Sequence, residues 1–568
     1  MEGVSFWWFA EIFLHYSTDA PRYVRTIETL AHVLDVHAPQ EVEPGDLPAE
    51  ETILLARLCQ TRGVLFHGRV PRVPWSRWRA VRTTSWRSRW NTVKTFAGAL
   101  KALVARPARV ADDGRRRVLF ISHAAFWRER TASDGEVVLY EHYFDPIIPG
   151  IAAEPGLVPM VVAVGPRTAF RRRSLGSRLG DWLRLHQEAG PYVHVQRYTS
   201  VRVVKEVARA TREIRRLWGW MRTSPAVEEA FSHQGVRFAD LSAPDLARTV
   251  LLQLPWAVRV YEEAAEVLQQ VRPSVVCLYN ESGGLGRAVI AAARAAKVPS
   301  VGVQHGILYP RYYSYNYTES ESDAPRPDRT AVFGEAARRE LVRQGRYDPA
   351  TLVLTGSPKF DDLLEASRTW DRDAIRARLG VDPAARLIVV ASRFKGIRAT
   401  HQSIGSAFPA FVRAVEALAG VQAIVKPHPA EPAAAYEAVI AALGASRVSV
   451  RAPQMALLDL LFAADLVVTV ESQSAVEALV LGRPLVILNT PTNLQEMVEA
   501  GVALGVPEGD DPKAALEAAL SDPATRERLE AARKEYLSDL AFGVDGGATR
   551  RIVALLRDTA QGLPVVVS

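Results

Sequence analysis

The chain has 568 residues and a mass of 62.5 kDa, with 48% hydrophobic and 23% charged residues, a balance that excludes a disordered, collagenous or coiled-coil main state. Two cysteines, Cys59 and Cys277, exclude a disulfide framework and a Cys-based zinc module, and they fit a reducing compartment. The net charge is +7, yet residues 62–109 hold ten Arg, two Lys and no acid, so the remainder is net acidic and one segment carries the basic character.

Residues 1–110 are expected to form a helical N-terminal extension. The run Val4 to Tyr16 is apolar and aromatic, but it contains Glu11 and is too short to span a bilayer. No secretory leader and no window of about 20 uncharged apolar residues is visible, which predicts a cytoplasmic protein. Pro71 and Pro74 precede a predicted helix that places Trp75, Trp78, Trp86 and Trp90 on one face, continued by Val93 and Ala97. Arg79, Arg82 and Arg89 fall on that same face, whereas Arg77 and Arg87 fall off it. Either the Trp face packs on the protein's own core, or it lies on an anionic membrane with its Arg side chains snorkelling. Nucleic acid ranks last, because the rest of the chain is acidic and no known binding motif accompanies the segment.

The pattern changes at Arg117. Val118–His123 and residues 158–164 read as short buried strands, and residues 170–260 as Arg-rich helix. A βαβ unit follows: Ser274–Tyr279, a loop Asn280-Glu281-Ser282-Gly283-Gly284, a helix over Leu285–Ala296 and a strand over Pro299–Gln304. A second series of strands begins near Arg329, with candidates at Thr330–Phe333, Leu352–Thr355, Leu387–Ala391, Ala423–Lys426, Val448–Val450, Leu466–Val470 and Leu485–Leu488. The reading is an α/β chain of two Rossmann-like doubly wound domains facing across a cleft. The first spans residues 111–325 with a helical insertion, and the second spans residues 326–568 on the nucleotide-donor side.

Ligands of such sheets bind beyond the carboxyl ends of the strands, so the polar residues there are the ones to weigh. Lys426-Pro427-His428-Pro429 follows a strand, and its two prolines fix the backbone around an imidazole that suits a phosphate. Glu471-Ser472-Gln473-Ser474 precedes a helix. Ser474 and Glu477 form a capping box, and the serines with the helix N-terminus suit an anion; Glu477 is alternatively a ribose ligand. Gln304-His305-Gly306 offers a near-neutral base or a phosphate donor beside a glycine that permits close approach. Glu281 offers a carboxylate that can deprotonate a hydroxyl. Weaker candidates are Ser122, His123, Asp134, Glu136 and Glu141 near the first strand, with the cations Lys359, Arg393 and Lys395 and the neighbouring Ser357. Neither a GxGxxG fingerprint nor a P-loop is present, which disfavours a nicotinamide cofactor and ATP hydrolysis.

Together these residues resemble the GT-B glycosyltransferase superfamily over roughly residues 270–500. Lys426-Pro427-His428-Pro429 resembles its HP motif and Glu471–Ser474 its SS motif, found in bacterial capsule and sialic-acid transferases that use CMP-sugars. Gln304-His305-Gly306 resembles the His-Gly element of CDP-glycerol glycerophosphotransferases. Thr355-Gly356-Ser357-Pro358-Lys359-Phe360-Asp361 is similar to a segment shared by those enzymes and UDP-GlcNAc 2-epimerases. The resemblance implies an inverting, metal-independent transferase of bacterial surface polysaccharide biosynthesis, with no cofactor beyond a CMP- or CDP-activated donor. It would move a sugar or polyol phosphate to a glycan or lipid-linked acceptor, peripheral to the inner membrane face. Lys426, His428, Glu471, Ser472, Ser474, Glu477, Ser357, Lys359 and Arg393 would hold the donor, and His305 or Glu281 would be the base. The alternatives are a UDP-N-acetylglucosamine 2-epimerase-like sugar-nucleotide enzyme and a non-catalytic nucleotide-binding scaffold.

Overall fold

The computed structural model describes residues 5–11, 18–73, 75–104, 113–131, 137–165, 192–308, 313–318, 321–392, 407–428, 431–451, 457–472, 474–542 and 544–564. Asp134, Glu136, Arg393 and Lys395 lie outside them.

Two parallel sheets organise the chain. The first comprises β1 (Arg116–His123), β2 (Leu157–Val164), β3 (Val193–His194), β4 (Val275–Tyr279), β5 (Ser300–Val303), β6 (Arg329–Val332) and β7 (Leu352–Leu354), in the order β7-β6-β5-β4-β1-β2-β3. The second comprises β8 (Arg386–Ala391), β9 (Val421–Lys426), β10 (Val448–Val450), β11 (Leu466–Thr469), β12 (Leu485–Thr490) and β13 (Leu504–Pro507), in the order β10-β9-β8-β11-β12-β13. Both follow the 3-2-1-4-5-6 winding of the Rossmann fold, the first with one strand added. In each sheet the direction of winding reverses beside the first strand, between β1 and β4 and between β8 and β11, and this opens a crevice at the carboxyl edge.

Both sheets are covered on both faces, so their strands read as continuous apolar runs. Along β1, Leu119 and Ile121 face one core while Val118 and Phe120 face the other. The first core is closed by α4 (Val201–Met221), α6 (Leu254–Val271) and α7 (Gly284–Ala295). The second is closed by residues 147–153 and, unexpectedly, by α11 (Ala548–Gln561), whose Ile552, Val553, Leu555 and Leu556 pack beneath β1, β4 and β5. Gly150 permits this, because a Cβ there would stand 2.7 Å from Val553.

The expected domain boundary at 325/326 is therefore corrected in two ways. Strands β6 and β7, assigned to the second series from the sequence, extend the first sheet, β6 by parallel pairing with β5 and β7 with β6. The chain enters the second sheet only at β8, and α10 (Pro523–Ala541) leads back to α11 on the first domain. A strand run with helices on either side carries no mark of which sheet it joins, and both series have the same period. Strand β3, inside the stretch read as helix, and the edge strand β13 were also missed; β3 has two residues and no pattern of its own.

The N-terminal extension packs on the first domain. Helices α1 (Ala20–His37) and α2 (Ala49–Arg62) share a core with Val236, Phe238 and Leu241, the last of these on α5 (Ala239–Arg248). Residues 7–11 are held by Arg287 of α7. Its fully buried guanidinium bonds Glu11 Oε2 at 2.6 Å, the Trp8 carbonyl at 2.8 Å and the Tyr317 hydroxyl at 2.8 Å. A buried guanidinium is tolerated when its charge is paired and most of its protons are placed; here both Nη atoms find acceptors and Nε does not.

Helix α3 (Trp75–Val104) contradicts one of the two readings of the Trp face. Its inward face is made of small residues, Val81, Ser88, Thr95, Ala99 and Ala102, packed against α4 and α5. Trp75, Trp78, Trp86 and Trp90 are 70%, 53%, 65% and 49% exposed, so they do not pack on the protein's own core. The inward Arg is Arg77, which bonds Glu50, the Tyr23 hydroxyl and the Leu241 carbonyl. No described helix is long and apolar enough to cross a membrane.

Helix α11 gives a test of this architecture. Leu556→Ala, which removes apolar volume beneath the first sheet, is expected to cost about 2–5 kcal/mol. Urea denaturation followed by far-UV circular dichroism measures it, and no shift in midpoint would mean that α11 does not cover the first sheet.

Candidate active site

The carboxyl edges of the two sheets face each other. Between them lies a small cavity of about 50 Å³. The first domain lines it with Tyr143, with Gln304, His305 and Gly306 after β5, with Phe333 after β6, and with Ser357, Lys359 and Phe360 at the start of α8 (Pro358–Ser367). The second domain contributes Val476 and Glu477 of α9 (Ser474–Val480). The floor is apolar: Ile307, Phe333 and Phe360 pack with Ala475, Val476 and Leu479.

His305 is held by its neighbour. The buried Gln304 side chain donates to the Gly306 carbonyl at 2.8 Å and accepts from the Phe333 amide at 2.7 Å, which ties the turn to β6. The imidazole stands edge-on to the Tyr143 ring, centroids 5.7 Å apart at 88°. Burial among these rings lowers its pKa to about 4, so at neutral pH it is an uncharged base rather than a cation. In the cleft as it stands it is therefore not a standing positive charge, and it fits the role of proton acceptor.

The segment from Thr355 to Asp361 positions Lys359. Gly356 has φ +76°, in the left-handed region, and a Cβ there would press on Arg551 and Ala548 of α11. Asp361 accepts from the amides of Gly546 at 3.0 Å and Ala548 at 2.7 Å. Lys359 Nζ then reaches across the cleft to the Glu477 carboxylate. This changes the expected role of Glu477. It does not close a capping box on Ser474; the Ser474 amide donates instead to Ser472 Oγ at 3.3 Å, and the two serine hydroxyls bond each other at 2.7 Å.

The strand-end motifs of the second domain lie side by side on adjacent strands. Lys426 and His428 end β9, Ser392 ends β8, and Glu471 and Ser472 follow β11. The Ser392 hydroxyl is the hub. It accepts from the His428 amide at 2.9 Å and donates to Glu431 Oε2 at 2.6 Å, where the Tyr436 hydroxyl also donates at 2.7 Å. Thr469 Oγ1 donates to the Ala391 carbonyl at 2.9 Å and accepts from the Ser472 amide at 3.2 Å, fixing the serine turn beside the same strand. Ser392 was not singled out as a ligand or a support from sequence, and a lone serine after a strand gives no signal that would mark it.

Glu281 does not join this group as expected. It is 2% exposed and lines no part of the cavity. Burial beside Tyr347 and Gly302 raises its pKa to about 7, the Tyr315 hydroxyl bonds it, and its Oε2 has no hydrogen-bond partner. Its loop is tight: Asn280 has φ +55°, and Gly286 of α7 lies so close that a Cβ would meet the Asn280 carbonyl at 2.4 Å. Ser122 and Glu141 are likewise structural. The buried Glu141 carboxylate accepts from Ser122 Oγ, the Tyr279 hydroxyl and the amides of Tyr143 and Phe144. Among the described residues no three His, Cys, Asp or Glu side chains converge as metal ligands would.

Comparison with known proteins bears on the chemistry. Residues 330–557, from β6 through α11, match the family model described as UDP-N-acetylglucosamine 2-epimerase, over less than half of the chain. No curated protein matches the chain. Similar solved structures include a Listeria monocytogenes protein assigned as a UDP-N-acetylglucosamine 2-epimerase, at 16% identity, covering 79% of this chain and 98% of that one with a TM-score of 0.49. A Neisseria meningitidis UDP-GlcNAc 2-epimerase bound to UDP-GlcNAc is 13% identical, with coverages of 78% and 99% and a TM-score of 0.48. A Rickettsia africae glycosyltransferase is 10% identical, with coverages of 78% and 98% and a TM-score of 0.43. The family match corrects the expectation of a transferase using a CMP- or CDP-activated donor. The two strand-end motifs of the second domain lie inside the matched stretch and Gln304-His305-Gly306 lies before it, and motifs suited to a phosphate do not distinguish transfer from epimerisation.

The support under the motif can be tested. Ser392→Ala leaves the Glu431 carboxylate and the His428 amide each short of a partner, an expected loss of about 1–3 kcal/mol in chemical denaturation. An unchanged stability would mean that the His428 turn does not depend on this hydroxyl.

Proposed function

We propose that this protein acts on a UDP-linked N-acetylhexosamine and inverts C2 of its sugar, with the cleft between the two sheets as the active site. The observation that carries the reading is the family match over residues 330–557, which contains the segment Thr355–Asp361 and both strand-end motifs of the second domain. Side chains at the strand ends support it, although Lys426, His428, Ser472 and Ser474 do not line the cavity itself. Lys426, His428, Ser472 and Ser474 hold the diphosphate at the carboxyl edge of the second sheet, where such sheets bind ligands. Ser357 and Lys359 flank the sugar from the first domain, and Glu471 takes ribose hydroxyls.

Inverting a carbon centre requires a proton to leave one face and a proton to return on the other, with no net change in atoms. His305, uncharged at neutral pH, removes the C2 proton. The C2–H electron pair forms a C1=C2 double bond as the C1–O bond to UDP breaks, and UDP leaves with that bond's pair. Re-addition of UDP to C1, with a proton to the other face of C2, restores the sugar nucleotide as its epimer. Glu477 lines the same cavity from the other domain and is the facing proton carrier. A cavity of about 50 Å³ is far below the several hundred Å³ of ordinary ligand sites. Binding therefore opens the cleft, and the Lys359–Glu477 ion pair is the contact that must part. The substrate's negative charge offsets the loss for Lys359.

The test uses UDP-N-acetylglucosamine alone in D₂O, with no acceptor present. Wild type is expected to place deuterium at C2 and to yield the C2 epimer by NMR. His305→Gln is expected to lower the rate by about 10²–10⁴, the usual contribution of a general base. Nucleotide binding with no exchange and no product would sink the epimerase reading and favour a non-catalytic scaffold.

The pH profile is a second check. Because burial lowers the His305 pKa from 6.5 to about 4, its basic form persists down to that pH. The acid limb of kcat/KM is expected near pH 4 and absent near 6.5. A limb near 6.5 would mean that the base is not the buried His305 imidazole.

A further inference from the structure

We infer that the outward face of α3 is a docking surface for an anionic lipid bilayer. The inference does not depend on the sugar-nucleotide reading. Helix α3 is 30 residues long, about 45 Å at 1.5 Å per residue. Its small inward residues bring its backbone close to α4 and α5, while its large apolar residues point away from the protein. Trp75, Trp78, Trp86 and Trp90 are joined on that face by Phe96, 55% exposed, and Leu100, 51% exposed. A helix that buries its small residues and exposes its tryptophans has the reverse of the pattern that folding alone selects. Trp86 and Trp90 stack flat on each other, centroids 6.2 Å apart and planes 3° apart, so they present one broad aromatic surface.

Charge selects the occupant. Arg79, Arg82 and Arg89 share the face with the tryptophans, and no ion pair joins any of them to a carboxylate among the described residues. Arg215 of α4 stands close enough to feel the charge of Arg89, and its Nη2 has no hydrogen-bond partner. Unneutralised guanidinium groups interleaved with indoles match the phosphate and glycerol level of a bilayer, where indoles settle and arginines meet phosphate. A second copy of the chain is a poor occupant, because a two-fold contact along this stripe would set the arginines of one copy against those of the other in an apolar seam. Nucleic acid would accept the arginines and indoles but gives Val93, Phe96 and Leu100 no hydrocarbon to enter.

The experiment is flotation of the full chain with vesicles of phosphatidylcholine, with and without phosphatidylglycerol. Wild type is expected to float with the anionic vesicles, to shift its tryptophan emission to the blue, and to release as salt is raised. Trp78→Ser with Trp86→Ser, and separately Arg82→Gln with Arg89→Gln, are each expected to weaken binding roughly tenfold or more. All four residues are exposed, so the variants should keep the wild-type melting temperature, and circular dichroism checks this. Equal flotation of the variants and wild type would overturn the proposal. So would a concentration-dependent dimer that the Trp variant abolishes, or tight, salt-sensitive binding to single-stranded RNA without binding to vesicles.

Discussion

The arrangement depends on one crossing of the chain. After the second sheet is complete, α10 carries the backbone back, and the Asp361 carboxylate captures the amides of Gly546 and Ala548 where α11 begins. A carboxylate that accepts two backbone N–H groups at a turn forms strong, charge-assisted bonds. Arg551 adds a bond from its Nε to the Thr355 carbonyl at 2.8 Å. These contacts clamp residues 355–361 between the two domains. They fix where Lys359 stands, hence which residue of the second domain it meets, and they deliver α11 to the underside of the first sheet. The cleft residues and the cover of the first core are thus set by one turn.

That clamp explains how a cleft between two Rossmann sheets acquires a definite width. The sheets alone would leave two carboxyl edges free to rock. The apolar contact of Ile307 and Phe333 with α9 joins them at the floor, and Lys359 with Glu477 joins them above it. An apolar floor resists sliding, because any displacement exposes surface that costs about 25 cal/mol per Å². The ion pair is directional but partly solvated, and exposed pairs of this kind are weak. Of the two contacts the polar one is therefore the easier to part.

Much of this was legible in the chain, and the failures have physical causes. The strand ends were legible: Lys426, His428, Ser472 and His305 were expected at or just beyond strands, and the structure places each there. Their relation to one another was not legible, because Ser392 and Asp361 act through contacts tens to hundreds of residues away. The boundary between the domains was misplaced because β6 and β7 have the same apolar period as the strands of the second sheet. Glu281 was weighed as a loop carboxylate, but tertiary packing buries it against Tyr347 and removes it from the cavity. The transferase reading failed for a different reason: residues that bind a diphosphate say little about which bond of the donor reacts. The Trp stripe was recognised, but its direction was not, since a 3.6-residue period fixes a face and leaves open whether it looks inward.

The return of α11 has a consequence for synthesis on the ribosome. The first sheet's strands emerge early, yet Val118, Phe120, Cys277 and Val303 share their cover between residues 147–153 and Ile552, Leu555 and Leu556. Until residues 548–561 have left the exit tunnel, part of one side of that sheet stays wet and available to other chains. Domain-by-domain completion during translation, the usual course for a chain of two domains, is closed to it. The N-terminal domain must wait, half covered, while the entire second sheet is made and folded. A nascent chain in that condition is a natural client for a holdase, and a stop codon anywhere before α11 harms the domain farthest from it in sequence.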